Sequence, residues 1–498
     1  MPIICYNIGS FFLETVVPRK FPAYTPTVLK PTPEQLARVP KGLQVKYGIN
    51  RVKQKNGTIY VTERAYYIDP KTHQSHAIAS VKIGKISKGE TEMVWTFKSK
   101  TPAKTSPAIQ LVEKAQEVLA DERQEGKVQF PLPLFWAVCI LCTMTGRSDA
   151  HSIADYWNAN SKQLFRGYEG LYSPIISADT VQRLMTLLSP EQAIEMARLF
   201  EAEEQEDQSI GKTPRVVSVD GQAVRASRNS EDRCNYLLNL FNGSDKRFMG
   251  QCLIAAKQGE TTATPELLKA YDLEGTIVTA DALFTKAGMF EAIIEKKADY
   301  CIPVKNNAKT FVKDIDEAFT KVLNAQEGSE GPSIKTLRYD TEIGHGRIEE
   351  RIVDVLPASL LPEKQLKCWV GLDEGCIVQY HTRRTNKKTG EVETDIKRAV
   401  TSLRWDADDL AKTIGFVMRR HWAIENSLHW VLDVAFRQDR IQCRNGNYLF
   451  ARTWLNKIVL NMLRNYKEQT KSTKSFERLM VEMHDLSTAK KCLKMALS

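Results

Sequence analysis

The pattern of hydrophobic and polar positions changes three times along this chain. Residues 1 to 107 begin with an irregular, Pro-rich stretch that continues to about residue 40. Residues 44 to 100 then alternate apolar and polar side chains with a period of two, as in GTIYVTERAYYI and HAIASVKIGKI. Turn dipeptides interrupt the alternation at positions 56–57 (Asn-Gly) and 69–70 (Asp-Pro). This pattern predicts a small β module with one or two hairpins.

Residues 108 to 204 have a helical period instead. Apolar residues recur every three or four positions in IQLVEKAQEVLADE, PLFWAVCILCTM and ADTVQRLMTLL, which is typical of helices. Ser189 followed by Pro190 and an acidic residue is a good helix start. We therefore expect a helical domain, which ends in the acidic stretch EAEEQEDQSIGK.

From residue 214 strands and helices alternate. RVVSVD, CNYLLNLF and FMGQCLIAA resemble strands, and TPELLKAY resembles a short helix with Thr264 as its N-cap. TIVTAD, FTKAGMFEAIIEKKA and YCIPVK then predict a strand, a helix and a strand. Three strands, a helix, a strand, a helix and a strand is the order of an RNase H-like core. The predicted fold class is therefore α/β, with a mixed sheet whose first part occupies residues 214–306.

Residues 307 to 404 form the next segment, which we expect to be a β-rich insertion. Its strand-like runs are TLRYDTEI, RIEERIVDVL, LKCWVGL and CIVQYHTRR, separated by turns rich in Lys and Arg. A helical pattern begins near Asp408 and continues with breaks to about Tyr466, so residues 405–466 are expected to close the core with helices. Residues 467–498 are a C-terminal tail.

Composition agrees with a folded, multidomain protein. The chain has 498 residues, of which 42% are hydrophobic and 26% charged, and this length exceeds one ordinary core. The net charge of +10 is concentrated in residues 1–110, which carry 17 Lys and Arg against 6 Asp and Glu. A basic N-terminal region on a near-neutral body indicates nucleic-acid binding. The alternative is a solvated basic face that only maintains solubility.

Cysteine usage and hydropathy favour a reduced, cytoplasmic environment. The ten Cys are scattered without a disulfide framework, and the N-terminus has no signal-peptide pattern. The apolar run at 130–144 is too short for a membrane span, so no membrane association is expected. Cys139 and Cys142 within it are interpreted as packed side chains, because no second CxxC or His pair lies near enough in sequence for a zinc site.

Two aspartates are candidates for metal chemistry. Asp220 follows RVVSV, and Asp281 follows TIVTA, so each would project from the carboxyl end of a strand. In open α/β sheets ligands bind outside those strand ends. An aspartate alone in such a position more often initiates a turn than binds a metal ion.

Glu425 is a third candidate, within RRHWAIENSLHWVLDVAF. A carboxylate among aromatic residues is costly unless it is paired or binds a cation. His421 and His429 lie one helical turn to either side, so an i,i+4 contact of Glu425 with His429 is the alternative. Two strand-end acids and a helical acid could hold a pair of Mg²⁺ ions for phosphodiester chemistry. Asp433, Asp439, Glu349 and Glu350 are rival acids, and Asp433 is the main one.

Four basic residues are candidates for DNA contact. They are Lys305 in VKNN, Arg347 in HGR, and Arg419 and Arg420 before the Glu425 helix. Lys305 would end a strand beside the proposed metal site and could neutralise a phosphate. Each of the four could equally be an ordinary surface charge.

Four ordered motifs resemble the bacterial insertion-sequence DDE transposases of the H-repeat-associated type. They are VVSVDGQAVRAS, TADALFTKAGMFEAIIEKKADYCIPVKNNAKTF, HGRIEERIVDVL and RRHWAIENSLHWVLDVAFRQD. Together with the preceding helical stretch the resemblance spans roughly residues 125–466. It departs from the family where DGQ replaces the usual DGK, and His421 stands where some related transposases have Arg.

The resemblance implies an activity as well as a fold. It assigns Asp220, Asp281 and Glu425 as the catalytic and metal-binding acids, with two Mg²⁺ ions as cofactors and Mn²⁺ as a substitute. It implies cleavage and strand transfer at the ends of the element, double-stranded DNA ends and target as partners, a homodimer on DNA, and a bacterial cytoplasmic, nucleoid-associated location. Two alternatives remain open at this point. One is a transposase-derived DNA-binding protein without catalysis, and the other is a stand-alone RNase H-like nuclease.

Overall fold

The structure is a computed structural model. It describes residues 31, 33–40, 42–53, 59–70, 72, 74–86, 94–95, 106–124, 128–166, 168, 172–200, 214–228, 234–254, 259–282, 287–325, 332–339, 341–344 and 346–497. The chain divides into two units, the first formed by residues 1–141 and 151–178 and the second by residues 142–150 and 179–498.

The first unit contains a four-stranded antiparallel sheet in the order β1-β2-β3-β4. Helix α1 is Pro33–Leu36, and the strands are β1 Lys46–Lys53, β2 Ile59–Ile68, β3 Ser75–Ile86 and β4 Val94–Trp95. The Asp69-Pro70 turn joins β2 to β3, with the Asp69 N–H donating to the Gln74 carbonyl at 3.0 Å. The Asn56-Gly57 turn lies outside the described residues. The strands that the alternation predicts are thus present.

Helices follow the sheet in the chain. They are α2 Pro107–Val118, α3 Leu132–Met144, α4 Ala150–Leu164, α5 Ala178–Met185 and α6 Pro190–Arg198. Within the first unit, Trp157 of α4 is buried edge-to-face against Phe130 and Tyr172. Cys139 and Cys142 of α3 are both buried, as expected of packed thiols. The predicted start of α6 is confirmed, because Ser189 and Gln192 form a reciprocal capping box before Pro190.

The second unit is built on a ten-stranded mixed sheet with the order β10-β12-β13-β14-β9-β8-β5-β6-β7, with β11 paired to β12. The strands are β5 Arg215–Val224, β6 Asn235–Asn242, β7 Arg247–Ile254, β8 Thr276–Ala280, β9 Asp299–Val304, β10 Lys335–Arg338, β11 Glu342–Gly344, β12 Arg347–Pro357, β13 Cys376–Asn386 and β14 Val392–Thr401. Strand β6 pairs antiparallel with β5, and β7 pairs antiparallel with β6. On the other side of β5, strands β8 and β9 run parallel to it. The predicted α/β class is confirmed.

The remaining helices belong to the second unit. They are α7 Glu260–Lys269, α8 Ala287–Glu295, α9 Lys309–Asn324, α10 Glu363–Leu366, α11 Leu410–His421, α12 Trp430–Ala435, α13 Gly446–Gln469, α14 Phe476–Glu482 and α15 Leu486–Leu497. Helices α7, α8 and α9 pack on the face that contains Val217 and Val219, and α11 packs on the face that contains Val216 and Ile277. Helices α6 and α13 lie against β7.

Three sequence predictions in this unit were wrong. Thr264 is not an N-cap, because α7 begins at Glu260 and Thr264 is fully buried inside it. The run LKCWVGL is not a strand but the end of α10 and the turns that follow it, because Trp369 packs between Phe290 and Phe311. Helix α9, with one apolar face, was not anticipated within the strand-rich segment.

The segment 307–404 is joined to the preceding strands by backbone hydrogen bonds. Strand β14 pairs antiparallel with β9, from Arg398 opposite Val304 to Thr401 opposite Cys301. Strands β10 to β14 therefore continue the same sheet. The C-terminal residues are helical, and the Asn465 side chain of α13 donates to the Met495 carbonyl of α15 at 3.0 Å. In the described part of the chain, no helix has the length and apolar character needed to cross a membrane.

Replacing Gly415 of α11 with Ala should destabilise the second unit, because the added Cβ would lie 2.2 Å from the Tyr339 hydroxyl oxygen. Overpacking of this kind costs about 1–3 kcal/mol, more than the gain in helix propensity. Gly288→Ala in α8 is the control, since nothing lies within 4 Å of its new Cβ. Urea unfolding of both variants would test this, and an unchanged midpoint for Gly415→Ala would contradict the close packing.

Candidate active site

The two candidate aspartates lie on adjacent parallel strands. Val219 of β5 pairs with Ala280 of β8, and Asp220 and Asp281 follow these two residues directly. Strand β5 does not end there, however, but continues along β6 to Val224. Asp220 is therefore an interior strand residue beside the carboxyl end of β8, not the end of a strand as predicted.

Both aspartates point to the face of the sheet that α11 covers. Side chains alternate along a strand, and Val216 and Ile277 pack against α11 whereas Val217 and Val278 pack on the opposite face. Asp220 is four residues after Val216, and Asp281 is four residues after Ile277, so each shares the α11 face. The alternation thus places both carboxylates on the face of the sheet that α11 covers.

Glu425 begins the segment that follows α11. Residues Glu425–His429 form a five-residue π-helical turn between α11 and α12. A π-turn adds one residue to the helix and is frequent at functional sites. Partial burial and the negative charge of Asp281 raise the pKa of Glu425, whereas Lys305 and Lys397 oppose that rise. The Glu425 carboxylate is therefore within electrostatic range of Asp281.

Two histidines connect this helical segment to β5, which contains Asp220, and to β8, which precedes Asp281. His421, one turn before Glu425, forms a 3.2 Å hydrogen bond through Nδ1 with the Thr279 hydroxyl of β8. His429, one turn after it, lies with Nδ1 3.4 Å from Asp220 Oδ2 on β5. His429 Nε2 lies 3.2 Å from the Asn239 amide nitrogen. Both ring nitrogens of His429 thus face strand residues, which leaves none for the alternative contact with Glu425.

The Asp281 carboxylate binds two donors. Lys305 Nζ donates to its Oδ1 at 2.7 Å, and the Ala282 N–H donates to the same oxygen at 2.8 Å. Burial alone would raise the pKa of Asp281, but these two hydrogen bonds and the positive charge of Lys305 lower it overall. Asp281 is therefore held as an anion beside a cation.

The burial of the two histidines keeps them neutral. Burial lowers the pKa of His421 to about 4, although Asp281 partly opposes this effect. Burial, together with the charge of Lys457, lowers the pKa of His429 to about 3. Neither histidine therefore supplies the positive charge that the three acids would need.

The donor set suits a hard divalent cation. Carboxylate oxygens are the ligands of Mg²⁺, and the unfavourable proximity of Glu425 and Asp281 would be relieved by a cation between them. The ammonium of Lys305 already occupies one cationic position at Asp281. Among the described residues, no three His, Cys, Asp or Glu side chains form a ready metal cluster. The acids would have to close around the ion.

A basic cavity of about 430 Å³ lies beside Glu425. Asn426 and Trp422 line it from the helical segment, and its basic lining residues are Arg347, Arg351, Arg384, Lys397 and Arg419. Glu349 accepts from Arg351 at 2.7 Å and lies 3.0 Å from Arg384. Glu342 pairs with Arg351 at 2.9 Å and with Arg419 at 2.7 Å. The carboxylates of Glu342 and Glu349 compensate only part of the positive charge, so the cavity favours an anionic ligand.

The remaining predicted basic residue is separate from this cavity. The Arg420 guanidinium stacks on Phe416 at 4.9 Å, and the Arg420 carbonyl lies beside Gly243 in the β6–β7 turn. Arg347 and Arg419 thus share the cavity, Lys305 binds Asp281, and Arg420 lies elsewhere.

The rival acids have other surroundings. Glu349 and Glu350 are paired with arginines, and Asp439 belongs to a short helix at Gln438–Arg440. Asp433 accepts from Gln222 at 3.5 Å. Burial, and next the charge of Asp439, raise the pKa of Asp433 to about 6. Asp433 therefore neighbours Asp439 and Gln222, whereas Glu425 neighbours Asp281.

Sequence reasoning missed several residues around the site. Lys397 lies 4.5 Å above the Trp422 ring and lowers the pKa of Glu425. Asn239 and Lys457 extend the contacts of His429 into the protein interior. Lys457 was detectable as a lone cation in the apolar helical run LNKIVLNML, but the identity of its partners was not.

Comparison with known proteins identifies relatives of this chain. A family model described as "Transposase DDE domain" matches residues 211–462. "Putative transposase YncI" of Escherichia coli O157:H7 is 30% identical over 360 residues, covering 70% of this chain and 86% of that protein. "H repeat-associated putative transposase YhhI" of Escherichia coli K12 is 27% identical over 360 residues, covering 70% of this chain and 89% of that protein.

One solved structure also aligns with the chain. It is the piggyBac transposase synaptic complex with hairpin DNA, with 11% identity, a TM-score of 0.35 and coverage of 78% of each chain. That alignment is too loose to support an argument about the fold. The family match and the relatives are sufficient without it: this chain belongs to the DDE transposase family.

Proposed function

We propose that this protein cleaves DNA at the ends of its own insertion sequence and joins those ends to a target, with Asp220, Asp281 and Glu425 as its catalytic acids. The observation that carries this proposal is the double histidine attachment around Glu425. His421 forms a hydrogen bond with Thr279 of the strand that precedes Asp281, and His429 Nδ1 lies 3.4 Å from Asp220 Oδ2. These two contacts hold the segment that carries Glu425 against the strands of the two aspartates, although residues 220 and 425 are more than 200 residues apart in sequence.

The strand order supports an RNase H-like core. Strands β7-β6-β5-β8-β9 have β5 at the centre. On one side β6 is antiparallel to β5 and β7 is antiparallel to β6, and on the other side β8 and β9 run parallel to β5. We propose the corresponding layout for the whole chain. Residues 1–107 are a basic N-terminal region with the β module at 44–100, 108–204 a preceding helical domain, 214–306 the first part of the core, 307–404 an insertion, 405–466 the helices with Glu425, and 467–498 the tail.

Asp220, Asp281 and Glu425 would hold two Mg²⁺ ions, or Mn²⁺ as a substitute. When bound, such a pair activates the attacking oxygen and stabilises the leaving oxygen of a phosphodiester. Lys305 is placed to exchange its Asp281 partner for a phosphate oxygen, because its ammonium is exposed and can only donate. The two neutral histidines keep the helical segment against the strands while this exchange occurs.

Each of the two steps forms one P–O bond and breaks another, so neither step needs a separate energy source. In the first step a water oxygen attacks phosphorus at the element end, the bond from phosphorus to the 3′ oxygen breaks, and a 3′-OH is released. In the second step that 3′-OH attacks a target phosphodiester, so that one P–O bond forms as another breaks.

DNA contacts would come from several basic regions. The cavity that contains Arg347 and Arg419 lies beside Glu425 and suits a phosphate of the DNA end. Arg420 and the basic N-terminal region would contact the duplex further away. The partners are double-stranded element ends and target, a homodimer would pair two ends, and the location is the bacterial cytoplasm, with the nucleoid.

Two other functions have weaker support. A binding protein without catalysis would not need Glu425 close to Asp281, yet the charge of Asp281 contributes to the raised pKa of Glu425. A simple nuclease would not need the five strands that extend the sheet beyond β9. Joined DNA products distinguish the transposase from both.

Asp281→Asn and Glu425→Gln should each abolish Mg²⁺-dependent cleavage of DNA that carries the ends flanking this gene. The expected loss in rate is about a thousandfold, because metal-centred charge stabilisation contributes several kcal/mol to lowering the barrier. Cleavage and joining are measured on labelled DNA by gel electrophoresis. DNA binding should persist in both variants.

Glu350→Gln is the matched control, because Glu350 is an exposed carboxylate paired with Arg383, and it should cleave at the wild-type rate. Asp433→Asn tests the rival acid. If Asp433→Asn lost cleavage and Glu425→Gln retained it, the third acid would be Asp433. Salt-sensitive binding without cleavage by the wild type would leave the binding-only function.

Lys397→Met should move the acidic limb of the pH–rate profile to higher pH. Glu425 must be ionised to bind a cation, so activity is lost as the pH falls through its pKa, which already lies above the usual 4.5. Lys397 lowers that pKa, and removing its charge raises it further. Lys397→Arg retains the charge and should retain the profile. An equal shift in both variants, or a shift to lower pH, would show that Lys397 does not act on Glu425.

A further inference from the structure

A chain of buried polar side chains lies behind Asp220. Lys457 of α13 and Asn239 of β6 are fully buried, and Gln251 of β7 is 5% exposed. A cation in such a place is costly unless several acceptors surround it, and burial lowers the pKa of Lys457 well below its usual value. The proposed acids do not contact Lys457, so its retention in the interior needs another reason.

The donor and the acceptor of each hydrogen bond among these buried polar side chains can be assigned. The Gln251 amide nitrogen donates to the Phe450 carbonyl at 2.8 Å and to the Thr453 hydroxyl at 3.1 Å. Its oxygen must therefore face Lys457, whose Nζ lies 2.6 Å away. Lys457 thus acts as a donor in this cluster, and its second acceptor is Asn239 Oδ1 at 2.5 Å.

The orientation of the Asn239 amide determines the tautomer of His429. Because the oxygen of Asn239 faces Lys457, its nitrogen is the atom that donates to His429 Nε2 at 3.2 Å. A ring nitrogen that accepts a hydrogen bond carries no proton, and a neutral imidazole has one N–H. That proton is therefore on Nδ1, which lies 3.4 Å from Asp220 Oδ2.

We propose that Lys457 and Asn239 are positioning residues, which fix His429 in its Nδ1–H tautomer so that it orients the Asp220 carboxylate. This inference rests on the proposed function, since the purpose of the orientation is cation binding. The N–H faces Oδ2 at 3.4 Å and thereby orients the carboxylate. The protonated Nδ1 also cannot itself bind a metal ion, so His429 does not compete with Asp220.

The opposite tautomer would disturb the site. It would direct the Nδ1 lone pair at the negatively charged oxygen of Asp220, and the two would repel each other. Reversing the polarity of Asn239 produces this state, because a carboxylate at position 239 accepts from both sides. Asn239→Asp is nearly isosteric, retains the bond from Lys457, and requires a proton on His429 Nε2.

Gln251→Glu is the matched control. It introduces the same charge beside Lys457 and also replaces a buried amide, but it does not contact His429. The readout is the side-chain ¹⁵N spectrum of histidine-labelled protein, which contains only eight histidines. His429→Gln assigns the His429 signals by their disappearance. No DNA, metal ion or catalysis is needed for this measurement.

The wild type should have His429 protonated on Nδ1 and not on Nε2. Asn239→Asp should place a proton on Nε2, and Gln251→Glu should leave the wild-type pattern. In the cleavage assay, Asn239→Asp should raise the Mg²⁺ concentration for half-maximal rate by about 10- to 100-fold. Gln251→Glu should leave that concentration near the wild-type value when both variants have the same melting temperature.

A wild-type His429 protonated on Nε2 would overturn the proposal, whatever Asn239→Asp and Gln251→Glu show. An equal change of the His429 spectrum in the two variants would also overturn it, because general disturbance of the buried cluster would then be the cause. The predicted tautomers in a protein that does not cleave DNA would support the hydrogen-bond chain and contradict only the proposed function.

Discussion

The cost of placing ionised carboxylates in a partly buried site is the constraint on which this structure depends. Burial, and next the negative charge of Asp281, raise the pKa of Glu425. The protein offsets this cost with directed contacts and not with charged histidines. Lys305 neutralises Asp281, Lys397 acts on Glu425, and the helical segment is attached to the sheet through neutral imidazoles. Under the proposed function, a divalent cation bound between the carboxylates would offset this cost.

The surrounding fold holds these acids in place despite the cost of their ionisation. Apolar side chains on both faces of the sheet fix β5 and β8, and α11 packs closely enough at Gly415 to exclude one methyl group. Helix α13 contributes Lys457, which is costly to bury but supplies donors at a place that water does not reach. The stability of the apolar core thus offsets the cost of burying polar groups that position residues of the site.

Much of this arrangement could be predicted from the sequence, and the remainder could not for physical reasons. The β-branched runs before Asp220 and Asp281 identify adjacent strands, and the cost of a carboxylate among tryptophans draws attention to Glu425. The polar chain behind Asp220 is different, because Lys457 and Asn239 are 218 residues apart and become partners only after folding. The short run LKCWVGL was misassigned because a brief apolar stretch does not reveal its period, and a buried Trp369 determines its conformation.

The pairing of β14 with β9 has an electrostatic consequence. Arg398 lies opposite Val304, so the next pair in the same register is Lys397 with Lys305, one from the extension of the sheet and one from its central part. These are the two cations that lower the pKa of Glu425. A slip of one residue would turn Lys397 to the other face of the sheet. The backbone register between β14 and β9 therefore determines which cations lie near Glu425, although Glu425 lies on neither strand.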